Sequence, residues 1–114
     1  MLEKLEKIVE AIESKKGEEL IILDFQGKNS LCDYAVICTG SSNRNIRAIS
    51  EEVEVKLMEL DERRLHIEGQ DEAHWILIDG DDVMIHVLDQ ETRDLYRLEE
   101  LWGYANVVFP RLDA

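Results

Sequence analysis

Proline is almost absent from this sequence, and long apolar runs are missing altogether. The single proline is Pro110, so no proline-rich linker divides the 114 residues, and a chain of this length is expected to fold as one domain over residues 1–114. No apolar run approaches the ~18 residues that a membrane-spanning helix needs. The N-terminus lacks the basic start and apolar run of a secretory signal. We therefore expect a soluble, cytoplasmic protein without a membrane role.

Cysteine is also scarce. Cys32 and Cys38 are the only two, they lack CxxC spacing, and they lie in an apolar region. Buried, reduced thiols are the expected state, rather than a disulfide or a redox pair.

Basic residues are few. Thirteen Lys and Arg face 26 Asp and Glu, which gives a net charge of −13, and residues 68–100 hold eleven acids against only Arg93 and Arg97. Binding to nucleic acid needs a basic footprint, so we expect little or no direct contact with it. A basic protein partner fits the charge. A merely solvated acidic surface is the simpler alternative, and charge alone favours it.

Hydrophobic periodicity predicts a mixed α/β fold, with a sheet of about five strands flanked by helices. Two early strands are apolar on both faces, which indicates a sheet covered on both sides. The predicted elements are a helix over residues 2–16, strands Leu20–Phe25 and Tyr34–Thr39, a helix over 42–62, a short strand Arg64–Glu68, an antiparallel hairpin of Trp75–Asp79 with Val83–Leu88, and a helical end over Gln90–Trp102.

The Gly40-Ser41 turn, between a strand and a helix, has one alternative use. Backbone amides at a helix start can hold the phosphate of a nucleotide, as in nucleotidyltransferases. Those enzymes also need paired carboxylates for Mg²⁺. The nearest pair here, Glu52 and Glu54, would point about 200° apart on a helix. A nucleotide-binding or nucleotidyltransferase-type domain therefore stays the alternative, and we expect no enzyme.

No metal or cofactor is expected. The three histidines lack zinc-motif spacing, and Asp79, Asp81 and Asp82 lie in a hairpin turn of a kind that is usually solvated. His86 lies on an apolar strand, where a half-buried, hydrogen-bonded structural histidine is the expectation.

The helical end can be analysed at 100° per residue. An unbroken helix places Leu95, Leu98, Leu101 and Trp102 towards the core and Tyr96 on the opposite side. Arg93, Glu99 and Glu100 would then flank an exposed Tyr96, a residue type that often anchors interfaces. A break at Tyr96-Arg97 would change this facing, and exposed tyrosines are also common on ordinary surfaces.

Several ordered blocks resemble one family. They are Asp33-Tyr-Ala-Val-Ile-Cys-Thr-Gly-Ser-Ser42, Glu68-Gly69, Trp75-Ile-Leu-Ile-Asp79, Val83-Met-Ile-His86 and Arg93-Asp-Leu-Tyr-Arg-Leu-Glu-Glu-Leu-Trp102. Over about residues 4–106 the chain is similar to the ribosomal silencing factor (RsfS, or Iojap) family. One departure is Asn45, where the family usually has histidine.

The resemblance implies a nucleotidyltransferase-like sheet without the catalytic acids, in which Gly40 is structural. It also implies binding to the large ribosomal subunit through a basic protein, large-subunit ribosomal protein fourteen. Docking there blocks joining of the small subunit and represses translation when nutrients are scarce. The implied contact residues are the acids Glu68, Asp94, Glu99 and Glu100, together with Arg93, Trp75, Tyr96 and Trp102. A homodimer paired through the hairpin edge also stays open.

Overall fold

The computed structural model describes residues 2–61 and 65–109 of the chain. Its elements follow the predicted order as far as the hairpin, then depart from it. The helices are α1 (Glu3–Ser14), α2 (Asn43–Glu59), α3 (Gln90–Tyr96) and α4 (Leu98–Leu101), and the strands are β1 (Glu18–Asp24), β2 (Tyr34–Thr39), β3 (His66–Glu68), β4 (Trp75–Asp79), β5 (Val83–Leu88) and β6 (Asn106–Phe109).

The strands form one mixed sheet in the order β3-β4-β5-β2-β1-β6. Strands β2 and β5 are parallel neighbours, and the other pairs are antiparallel, including the predicted β4–β5 hairpin. The mixed α/β class is confirmed. Because β2 and β5 lie at the centre, their side chains are covered on both faces, which explains why both read as apolar runs.

The two faces of the sheet are covered unequally. Helices α1 and α2 pack on the first face, where Ile8, Ile49 and Val53 meet strand residues such as Val36 and Ile85 in the larger core cluster. A smaller cluster on the second face contains Phe25, Ile37, Leu88 and Leu98, with Trp75, Trp102 and Ala105 partly buried against it. The second face is therefore covered by short segments from the end of the chain.

Strand β6 was not predicted. The sequence predicts a helical end, whereas Asn106–Phe109 pairs antiparallel with β1 and extends the described sheet to six strands. Four residues are too few to show alternation, and only the pairing with β1 makes Val107-Val108-Phe109 a strand. The predicted start of the third strand at Arg64 lies outside the described residues.

The ends of the helices differ slightly from expectation. Helix α1 ends at Ser14, two residues before its predicted end, and Lys16 takes the left-handed conformation, with φ 62°. Helix α2 begins after Ser42, whose hydroxyl accepts a hydrogen bond from the Asn45 amide and so caps the helix,. In the described part of the chain, no helix has the length and apolar character to cross a membrane.

The predicted helical end is broken at Arg97. This residue has φ 48° and ψ 56°, a left-handed conformation that ends α3 and precedes α4. The expectation that Leu95 and Leu101 face the core is wrong, because their exposed fractions are 73% and 66%. Leu98 is buried at 6%. The 100° projection fails because it assumes one continuous helix.

Candidate protein-binding surface

Aromatic rings form a row across the second face of the sheet. The Tyr96 ring lies 5.0 Å from that of Trp75, and Trp75 lies 5.9 Å from His86. His86 in turn lies 5.5 Å from Trp102, which meets Phe25 edge-on at 5.4 Å. The row starts at an exposed side chain and ends at a buried one. Its exposed end is Tyr96, at 56%.

Tyr96 and Trp75 border an open cleft. The cleft is also lined by Leu95 from α3 and by Asp71 and Glu72 from the loop between β3 and β4. Tyr96 is therefore exposed as the sequence predicted, although α3 places Leu95 beside it on the surface. An apolar floor with carboxylates at the rim suits a protein side chain that carries both a hydrocarbon stem and positive charge.

The loop between β3 and β4 forms one wall of the cleft, and α2 holds it in place. The Arg47 guanidinium donates to the carbonyl oxygens of Gln70 and Asp71, at 3.0 and 2.6 Å. Gly69 has φ 93°, and a Cβ there would lie 2.1 Å from the Trp75 carbonyl oxygen. Only glycine allows the loop to pass this close to Trp75.

Asp89 connects the same loop to α3. Its carboxylate accepts from the Thr92 amide at 2.7 Å, which caps α3, and from His74 Nδ1 at 2.9 Å. Burial alone would raise the pKa of Asp89, but the hydrogen bonds from Thr92 and the interaction with His74 outweigh it and hold the pKa below its usual 3.8,. The ionised carboxylate thus fixes α3, and with it Tyr96, against the loop.

Arg93 is not on the surface. It is 8% exposed, donates to Thr39 Oγ1 at 2.9 Å and pairs with Glu99 at 2.7 Å. The expectation that Arg93 flanks Tyr96 is wrong, because its side chain turns inward and joins α3 and α4 to β2. Glu99 is occupied by this ion pair and is only half exposed.

The other predicted acidic contact residues are exposed and, unlike Glu99, do not pair with a buried side chain. Asp94 and Glu100 are exposed on α3 and α4, where Asp94 accepts from Gln90 and Glu100 lies 3.7 Å from Arg97. Glu68 is exposed on β3 beside His66. Their contact roles stay predictions. Trp102 is half-buried between Phe25 and His86, which leaves less of it for a partner than of Tyr96.

His86 is more buried than the sequence indicates, at 4% exposure. The Trp75 indole Nε1–H donates to His86 Nδ1 at 3.1 Å. Burial lowers the pKa of His86 to about 4, so the ring is neutral at physiological pH,. The expected hydrogen bond exists, and its partner is a residue of the candidate surface.

The Gly40-Ser41 turn is filled by the protein itself. Asn45 Oδ1 accepts a hydrogen bond from the backbone N–H of Ser41 at 2.9 Å, and the backbone N–H of Asn45 donates to Ser42 Oγ. A Cβ on Gly40 would lie 2.4 Å from Ile46 Cγ1, so the glycine lets α2 approach the strand end. Two donors that a phosphate would need are already used, which weighs against the nucleotide alternative.

The cysteines are buried thiols, and the acids of residues 2–61 and 65–109 do not gather into a metal-binding group. Cys32 and Cys38 are both buried and unpaired, as predicted, and burial raises the pKa of both thiols, that of Cys38 to about 12. Protonated thiols are poor nucleophiles. No group of three or more His, Cys, Asp or Glu side chains is arranged there to hold a metal ion.

Sequence reasoning missed the residues that support the surface. Arg47 and His74 act through hydrogen bonds to a distant loop and helix, for which the sequence carries no local signal. Asp89 does carry one, because Asp is among the residues preferred at a helix N-cap.

Comparison with known proteins agrees with this architecture. The family described as "Ribosomal silencing factor during starvation" matches residues 1–114. The ribosomal silencing factor RsfS of Halalkalibacterium halodurans is 36% identical over 106 residues, which is 93% of this chain and 91% of the relative. A mouse protein named "Mitochondrial assembly of ribosomal large subunit protein 1" is 27% identical over 101 residues, 86% of this chain and 44% of the relative.

A solved structure has a similar fold. The crystal structure of a Chromobacterium violaceum protein superimposes with a TM-score of 0.85 and 38% identity, over 89% of this chain and 84% of the other. Taken with the family match over residues 1–114, this shows that the chain belongs to the ribosomal silencing factor family.

Proposed function

We propose that this protein binds the large ribosomal subunit through large-subunit ribosomal protein fourteen, prevents the small subunit from joining, and so represses translation in the cytoplasm. Family membership supports a role at the ribosome. The name of the mouse relative refers to the large subunit. The observation that carries the proposal is the exposed Tyr96 ring packed at a tilt against Trp75, in a cleft that Asp71 and Glu72 also line.

The surface has the properties of a binding site for a basic protein. Tyr96, Trp75 and Leu95 offer an apolar centre, and Asp71 and Glu72 place negative charge beside it. Asp94 is exposed on the same helix as Tyr96. Aromatic centres with polar rims provide most of the binding energy in protein interfaces, and opposite charges select the partner. No catalytic group is required, because a bound domain excludes the other subunit by its volume.

Sedimentation of purified ribosomal subunits tests the proposal. Adding the protein in excess is expected to reduce the amount of joined ribosome and to place the protein in the large-subunit peak. Undiminished joining at saturating protein would contradict the blocking role. Absence of the protein from the large-subunit peak would contradict binding altogether.

The Tyr96→Ala variant is expected to bind large subunits about 2 kcal/mol more weakly, the scale of an aromatic anchor in an interface. The fold is expected to be unchanged, because the side chain is mostly exposed. Tyr104→Ala is the matched control, since Tyr104 is an exposed tyrosine that does not line the cleft. Equal binding of the two variants would remove Tyr96 from the site.

A further inference from the structure

His86 has an unusual position beneath the candidate surface. It lies on β5, diagonally across the β4–β5 ladder from Trp75, and its ring lies between those of Trp75 and Trp102. It is one of the few polar side chains buried among the described residues. Burying a histidine in an apolar layer costs free energy unless its ring nitrogens are hydrogen-bonded.

The hydrogen bond defines the protonation of the ring. Tryptophan can only donate, so Nδ1 of His86 must carry the lone pair and a neutral ring has its proton on Nε2,. Nε2 is buried without a hydrogen-bond partner within the described residues. Of the two ring nitrogens, only Nδ1, which faces Trp75, therefore has a hydrogen bond.

From this geometry we infer that His86 is a positioning residue of the partner-binding surface, which holds the Trp75 indole in the orientation against which the Tyr96 ring packs at a tilt of 53°. The indole is fixed at its nitrogen by His86 and contacts the Tyr96 ring at 5.0 Å. A side chain ordered before binding loses less entropy on binding, which strengthens the complex. The inference rests on the proposed function and assigns a role to a residue that the partner does not touch.

A double-mutant cycle with purified large ribosomal subunits tests the inference. His86→Phe keeps a flat ring but removes the acceptor, and it is expected to weaken binding about tenfold, the scale of one hydrogen bond. In a Trp75→Phe background, which has no indole donor, His86→Phe is expected to have no further effect on binding. An equal loss in both backgrounds would show that His86 acts by another route and overturn the inference.

His86→Asn provides the complementary variant. The Asn carbonyl oxygen can accept at the place of Nδ1 but leaves part of the ring volume empty. It is expected to be less stable than wild type yet to bind closer to wild type than His86→Phe does. The reverse order of binding would indicate a packing role only and overturn the inference.

The indole N–H resonance of Trp75 gives a readout that does not depend on the ribosome. In ¹H–¹⁵N spectra of the free protein, assigned through Trp75→Phe, His86→Phe is expected to shift this resonance and speed its exchange with water. An unchanged resonance would overturn the positioning role. If wild type fails to bind large subunits while the resonance shifts, the proposed function is wrong and the positioning of Trp75 stands.

Discussion

The Asn45 side chain occupies a backbone amide at the start of α2 and also connects α2 to α1. Its Oδ1 accepts from the Ser41 amide, and its Nδ2 donates to the Lys15 carbonyl oxygen at 2.9 Å. The end of α1 is thereby joined to the start of α2.

Asn45→Ala is expected to lower the free energy of unfolding by about 1–2 kcal/mol, because two hydrogen bonds of modest net value are lost. Asn45→Asp retains the acceptor for Ser41 but replaces the donor to Lys15 by a second acceptor,, so it is also expected to lower stability. Urea denaturation measures both. Unchanged stability of the alanine variant would show that water replaces Asn45 at no cost.

His86 also makes stability depend on pH. Its pKa is about 4 in the folded protein and 6.5 when unperturbed, so below pH 6.5 the unfolded chain takes up a proton that the folded protein does not. The free energy of unfolding should then fall as pH decreases from 6.5 towards 4, by up to about 3 kcal/mol, and show no contribution from His86 above 6.5.

Urea denaturation of wild type and His86→Phe at pH 7 and pH 4.5 isolates this effect. The carboxylates are common to both proteins, so the wild type should lose more stability than the variant between the two pH values. Equal losses would mean that the pKa of His86 in the folded protein is close to its unperturbed value of 6.5,.

At the scale of elements, the break at Arg97 decides which side chains reach the surface. A left-handed non-glycine residue costs about 1–2 kcal/mol, and here it separates two short helices. The Arg93 contacts with Thr39 and Glu99 hold the two helices in this arrangement. Because of the break, Leu95 and Tyr96 are exposed together beside Trp75.

Three leucine-to-alanine variants test the break. Leu98→Ala is expected to destabilise the protein by about 2–4 kcal/mol, because it removes a buried side chain. Leu95→Ala and Leu101→Ala are each expected to change stability by less than about 0.5 kcal/mol, because both side chains are exposed. Thermal or urea unfolding compares them directly. Three similar losses would indicate a continuous helix packed on the core.

At the scale of the molecule, the charge of −13 is expected to speed encounter with a basic partner,. Asp94→Asn with Glu100→Gln should slow association with large subunits several-fold at low salt, and the difference should shrink as salt is added. Glu3→Gln with Glu6→Gln is the matched control, because it removes the same charge from α1 on the opposite face. Equal slowing would indicate an effect of net charge alone.

Self-association through the sheet depends on which strands lie at its edges. The described sheet has β3 and β6 as its edges rather than the β4–β5 hairpin. Pairing of two copies through an edge stays a prediction, and mass measurements at several concentrations test it.

Much of the architecture follows from the sequence alone. Local patterns predict the apolar strands β2 and β5, the apolar stripe of α2 and the alternation in the hairpin, because each of these segments is long enough for its pattern to be recognised. The net charge is a sum over residues and needs no structure. The family resemblance likewise rests on residues that are contiguous in the chain. These features do not depend on what the rest of the chain does.

The details of the surface depend on contacts between distant residues, and only the tertiary structure decides them. Arg93 turns inward because Thr39 and Glu99 meet it, and β6 is a strand because β1 offers a free edge. The exposure of Leu95 follows from the left-handed conformation of Arg97, which hydrophobic periodicity cannot predict. The sequence determined that an acidic α/β protein presents aromatics near Trp75; the packing determined that Tyr96, and not Arg93, faces outward with it.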